Sequence, residues 1–126
     1  MVNMAIIHLS IQWKPVIHYS LHLIFPGIIA WIFFRKEWKI AWLLMLATMV
    51  VDLDHLLAKP IFDPCRCSIG FHPLHSYYAV SVYLIMIFVS NKKIRITFIG
   101  LLFHMLTDYL DCIWNDIPVV KFLINN

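Results

Sequence analysis

Four long apolar runs, separated by two short basic connections, set the pattern of this chain. Ile17 to Phe34, Ile40 to Ala58, Leu74 to Ser90 and Ile94 to Trp114 each approach the roughly 20 residues that a helix needs to cross about 30 Å of hydrocarbon. Four transmembrane helices are expected. Pro26-Gly27 falls inside the first, where a kink is tolerated if a neighbouring group satisfies the freed carbonyl. The connections carry Arg35, Lys36 and Lys39, and Lys92, Lys93 and Arg95, which predicts that both are cytoplasmic. Both termini and the loop from Lys59 to Phe71 then face the other side. Met1 to Trp13 has no basic n-region and no small-residue cleavage pattern, so it reads as an interfacial segment rather than a cleaved signal. The tail from Pro118 to Ile124 is too short to span and is placed at the interface, while Trp13, Trp38, Trp42 and Trp114 fall near the expected boundaries. The expected architecture is all-α: an integral membrane four-helix bundle with a short interfacial N-terminal segment, one domain over residues 1–126.

Composition sharpens this reading. The chain is 62% hydrophobic and 13% charged, whereas soluble domains carry about 25% charged residues. The net charge of +3 sits largely in the two basic connections, which suits membrane topology and argues against a nucleic-acid partner. Cys65, Cys67 and Cys112 cannot all pair within one chain, and a bridge across Cys65-Arg66-Cys67 would be strained. Cys65 and Cys67 read as structural or incidental residues rather than ligands, and the redox compartment stays undetermined.

The candidate chemistry lies in the ionisable residues. His18, His22, Asp52, Asp54, His55, His72, His75, His104, Asp108 and Asp111 all fall toward the non-cytoplasmic ends of the runs, and the opposite halves hold no charged residue and no histidine. His18 and His22 are one turn apart; His104, Asp108 and Asp111 follow i, i+4, i+7; Asp52 and His55 are i, i+3 neighbours. On a regular helix Asp54 would point about 200° away from Asp52, so either the helix loosens there or Asp54 supports the ligands without being one. His72 and His75 bracket Pro73, which suits the first turn of the third helix. Counting about 1.5 Å per residue puts Asp52 roughly 18 Å into its helix. A carboxylate buried there costs several kcal/mol unless it is protonated, paired or bound to a cation. The runs offer no Lys or Arg partner. Four aspartates and neutral histidines ask for more than one divalent ion, with zinc the best match to His and Asp donors.

Asp52-Leu53-Asp54-His55, then His72-Pro73-Leu74-His75-Ser76, then Gly100 followed by His104-Met105-Leu106-Thr107-Asp108, resemble the bacterial inner-membrane metal-dependent hydrolase family linked to LexA regulation. That family is distantly similar to zinc-dependent phospholipase C enzymes, and the resemblance implies hydrolase chemistry over roughly Asp52 to Asp108, with His22 a weaker match. The family's His-Arg-Gly-x-Thr-His-Ser run is replaced here by a shorter segment without the arginine. Arg66, in the preceding loop, is either a substitute phosphate contact or a solvated charge.

The expected function is a membrane-embedded hydrolase acting on a phosphoester of a lipid-like substrate, with the site facing the non-cytoplasmic side of the inner membrane. His18, His22, Asp52, His55, His72, His75, His104 and Asp108 are the expected metal ligands. Asp54 and Asp111 are the candidate general bases. Membrane lipid is the expected surrounding, and a homo-oligomer is compatible with it. The alternative is a small metal or proton carrier, which needs access to its ion site from both sides.

Overall fold

The computed structural model describes residues 4–61, 63 and 66–116, all helices and connections with no strand among them. Cys65 and the tail Pro118 to Ile124 lie outside the described residues.

Helix α1, Met4–Leu23, runs almost directly into α2, Phe25–Phe33. Residues 4–13 of the expected interfacial segment are therefore part of one long helical stretch, broken around Ile24 where Pro26 removes a backbone donor. The Leu23 carbonyl at this break accepts the Trp42 indole N–H at 2.9 Å, so a neighbouring helix satisfies it. After the turn Arg35–Glu37, α3 covers Trp38–Ala47. The chain then tightens into a ten-residue 3-10 helix, Thr48–Leu57. The Thr48 hydroxyl donates back to the Met45 carbonyl, a side-chain bond that bends helices, and the β-branched Val50 and Val51 follow it.

Beyond the loop at residues 58–72, a short 3-10 turn, Pro73–His75, precedes α4, Tyr77–Met86. Ser76 caps α4 by accepting the Ala79 N–H at 3.2 Å. The last helix, α5, spans Lys92–Asp116, and Asn91 accepts the Lys93 and Ile94 N–H groups at its start.

Three stretches are long and apolar enough to cross a membrane: Trp13–Phe33, Arg35–Leu57 and Lys92–Asn115. The expected span Leu74 to Ser90 is not among them. Its helix has ten residues, about 15 Å of rise, because Pro73 and the extended Ser76 delay its start.

Two apolar clusters hold the helices together. Ala30, Ala41, Met45 and Ile96 join α2, α3 and α5; Val51, Tyr83 and Met105 join the 3-10 helix, α4 and α5. Gly100 lets α5 approach α3 closely, since a Cβ there would sit 3.0 Å from the Met45 Cα and 3.1 Å from the Thr48 Cγ2. The two basic connections meet at one end of the molecule, where Lys92 pairs with Glu37 at 2.9 Å. The histidines and aspartates collect toward the other.

Candidate metal centre

The 3-10 winding decides which side chains meet. At three residues per turn Asp52 and His55 lie in register, while Asp54 stands about 120° from Asp52 around the axis instead of the roughly 160° that separates i and i+2 on a regular α-helix. Asp54 does not point away, as helical periodicity suggested: it is buried against Pro73–His75. Its Oδ2 accepts the Leu74 N–H at 2.8 Å and His75 Nδ1 at 3.1 Å, and its Oδ1 lies 3.0 Å from His55 Nδ1. With Nδ1–H given to Asp54, His75 turns an Nε2 lone pair the other way.

That nitrogen meets three further donors. His75 Nε2 lies 3.3 Å from Asp52 Oδ1 and 3.1 Å from Asp108 Oδ2; His104 Nε2 lies 3.0 Å and 3.3 Å from the same two oxygens. Nitrogen and oxygen ligands about 2.0–2.1 Å from a tetrahedral zinc stand roughly 3.3 Å apart. The four atoms thus have the spacing of a coordination shell, and all lie within 4.8 Å of one another. His75 Nε2 and Asp108 Oδ2 are buried and, although 3.1 Å from each other, make no hydrogen bond of good geometry. Leaving such groups unsatisfied costs about 1–3 kcal/mol each, more when charged, whereas a cation at their common focus satisfies both. On these two observations the donor set fits a divalent ion.

Asp108 faces two ways. Its Oδ1 lies 3.2 Å from His22 Nε2, and His18, His22 and Asp108 form a second group of converging donors. The His18 and His22 rings are 4.5 Å apart on successive turns of α1, and the His22 and His104 rings are 4.3 Å apart. His18 Nδ1 is buried without a hydrogen bond.

Asp54, His55 and His72 make a third group. Here the protein supplies most partners: both Asp54 oxygens are engaged, and His55 Nε2 accepts from the Ser68 hydroxyl at 3.0 Å. The His72 ring stacks on His55 at 3.9 Å. Burial holds the His72 imidazole below its ordinary value of 6.5, and the neighbouring His55 pushes it the same way.

Asp111, the remaining expected site residue, is set apart from the four-donor group. It lies 3.4 Å from Lys14 Nζ and 3.9 Å from His18 Nδ1. A basic partner is therefore present just upstream of the first run, because α1 extends beyond Ile17 and carries Lys14 into line with α5. Lys14 also donates to Asn115.

Above the centre a cavity of about 420 Å³ is bordered by Asp52, His55, His72, Asp108 and Asp111, with Lys14 and Arg66 also on its wall. Arg66 is held in place by the Pro60 and Ile61 carbonyls at 2.9 Å and 2.8 Å and lies 4.7 Å over the Phe71 ring. Sequence reasoning also missed Ser68, which no pattern marks, and the disulfide between Cys67 and Cys112, whose Cα atoms are 5.1 Å apart. That bridge ties the loop carrying Ser68 and His72 to α5, one residue beyond Asp111.

Residues 12–115 match a family described as a family of unknown function, DUF6122. No curated protein and no solved structure matches the chain. The match spans both histidines of α1, the 3-10 helix, the Pro73–His75 turn and the donors of α5, so the whole centre lies inside it, and the chain belongs to the DUF6122 family.

Proposed function

We propose that the chain is a multi-pass inner-membrane protein and a metal-dependent hydrolase, acting on a phosphoester of a lipid-like substrate at a multinuclear His/Asp centre. The observation that carries this reading is the four-donor group, whose buried His75 Nε2 and Asp108 Oδ2 make no hydrogen bond of good geometry, at the foot of an open cavity. Asp52, His75, His104 and Asp108 would hold one ion, and His18, His22 and the second oxygen of Asp108 another. Zinc suits these N and O donors. A divalent ion held by these residues would supply Lewis acidity toward a phosphoryl oxygen and would make water acidic near neutral pH.

The chain's own groups divide the remaining work. Asp54 fixes the His75 ring and its tautomer through Nδ1, which uses the oxygens that a general base would need free. Asp111 borders the cavity and is the better placed carboxylate to accept a proton. Lys14 and Arg66 supply positive charge on the same wall for a phosphate.

The disulfide supports an outward-facing site, since such bonds persist in oxidising compartments. The basic connections at the other end then lie in the cytoplasm.

Purified, lipid-reconstituted protein tests the reading. Elemental mass spectrometry is expected to find a divalent metal, and a panel of lipid phosphoesters is expected to include one that is hydrolysed, with loss on chelation and recovery on adding the metal back. Metal-replete protein that hydrolyses none of the panel, yet moves ions across vesicles, would establish the carrier instead.

A further inference from the structure

A second cavity adjoins the first. It has about 350 Å³, a usual size for a ligand pocket, and lies in the seam between α1 and α5. Ile17 and Leu21 border it from one helix, and Leu110, Ile113 and Trp114 from the other. Ridges at i, i+3/i+4 and i+7 on the two helices face each other without closing. Its polar border consists of Lys14, His18, Thr107 and Asp111, and Lys14, His18 and Asp111 also border the cavity above the metal centre. An apolar slot thus opens into a polar chamber, with the Lys14 ammonium where the two meet. Ile17 is 40% exposed and Leu110 and Ile113 are each 47% exposed, so the slot is open along its outer edge.

We infer that this slot holds the hydrocarbon chain of a lipid phosphoester, with its phosphate at Lys14 and directed into the chamber of the metal centre. The inference rests on the hydrolase reading for what happens to the phosphate, but the binding stands on the slot itself. Three features select this occupant. The walls are aliphatic and aromatic, which suits an alkyl chain. The Lys14 ammonium, 3.4 Å from Asp111 Oδ2, stands at the junction where a chain meets an anionic head, and a phosphate there takes up the ammonium in competition with that carboxylate. The open edge lies on a pair of helices long enough to cross a membrane, so a chain can enter sideways from the bilayer without leaving it.

The test uses the full chain in detergent micelles and a hexadecyl phosphate carrying a diazirine on its chain. Irradiation is expected to place adducts on the α1 and α5 residues of the slot. Excess hexadecyl phosphate should suppress them, and hexadecanol should do so far less. Leu110→Trp and Ile17→Trp each fill the slot from an already exposed position. Each is expected to cut slot labelling by about tenfold, the effect of losing a few buried methylenes, with metal content and thermal stability unchanged. Lys14→Met is expected to make the phosphate compete no better than the alcohol.

Adducts spread over α3 and α4 according to exposure, and indifferent to Leu110→Trp, would mean ordinary lipid solvation and overturn the inference. Equal competition by hexadecanol would overturn the phosphate assignment. Slot labelling without hydrolysis of any phosphoester keeps the binding site and removes the hydrolase reading. Turnover of water-soluble phosphoesters without slot labelling does the reverse.

Discussion

Asp108→Asn removes one charge from the centre at nearly constant side-chain volume. Asp108 is 6% exposed, its Oδ2 lies 3.1 Å and 3.3 Å from His75 Nε2 and His104 Nε2, and its Oδ1 lies 3.2 Å from His22 Nε2. An amide presents one oxygen, so its NH2 must point protons at the histidines of one group or the other, where an ion would otherwise sit. Breaking a buried ionic set by removing one partner costs roughly 3–5 kcal/mol, which is about two to four orders of magnitude in affinity. The assay is metal retention by elemental mass spectrometry against a graded series of chelator concentrations. Glu37→Gln serves as the control, because the Glu37–Lys92 pair is half-exposed at the far end of the molecule and exposed pairs contribute about 0–1 kcal/mol. If Asp108→Asn and Glu37→Gln lose metal at chelator concentrations within about threefold of each other, Asp108 does not hold an ion and the centre as described is wrong.

Asp54→Asn is expected to weaken metal retention by about 10- to 100-fold, since an amide in place of the carboxylate disturbs the His75 tautomer; unchanged retention with slowed turnover would return Asp54 to the role of base. Gly100→Val should lower thermal stability and metal content together, because its side chain meets the Met45 Cα and Thr48 Cγ2 and pushes away the helix carrying His104 and Asp108; wild-type values for both would refute the close contact. Cys112→Ser should lower stability by about 4 kcal/mol on the chain-entropy account of a 45-residue separation, read by chemical denaturation, with no effect if reductant has already lowered the wild type equally.

The helical class and the gathering of histidines and aspartates at one end were legible because apolar length and residue spacing are local properties. His22, His104 and Asp108 follow from helical phase alone, and the structure brings them together. Asp54 could not be placed, since its direction depends on a change from 3.6 to three residues per turn that only contacts across the chain decide. The span from Leu74 failed for a related reason: hydropathy counts residues, and the extended backbone at Ser76 interrupts a run whose composition is uniform. Lys14 fell outside the first helix because the apolar run was counted from Ile17, so its pairing with Asp111, on the last helix, was invisible. Ser68 sits in a loop where sequence carries no periodicity at all.

The ten-residue 3-10 helix has a consequence for how the protein reports its own state. Winding of this kind has poorer backbone hydrogen bonds than an α-helix and is uncommon over such a length, so this stretch owes its shape mainly to what its side chains grip. Its amide protons are therefore expected to exchange with deuterated solvent slowly while Asp52, Asp54 and His55 are held, and quickly once their partners let go, whereas α3, bonded through its own backbone, changes little. The loading of the centre becomes an isotopic signal written along the main chain at Thr48–Leu57, readable without a substrate and without knowing which ion is bound.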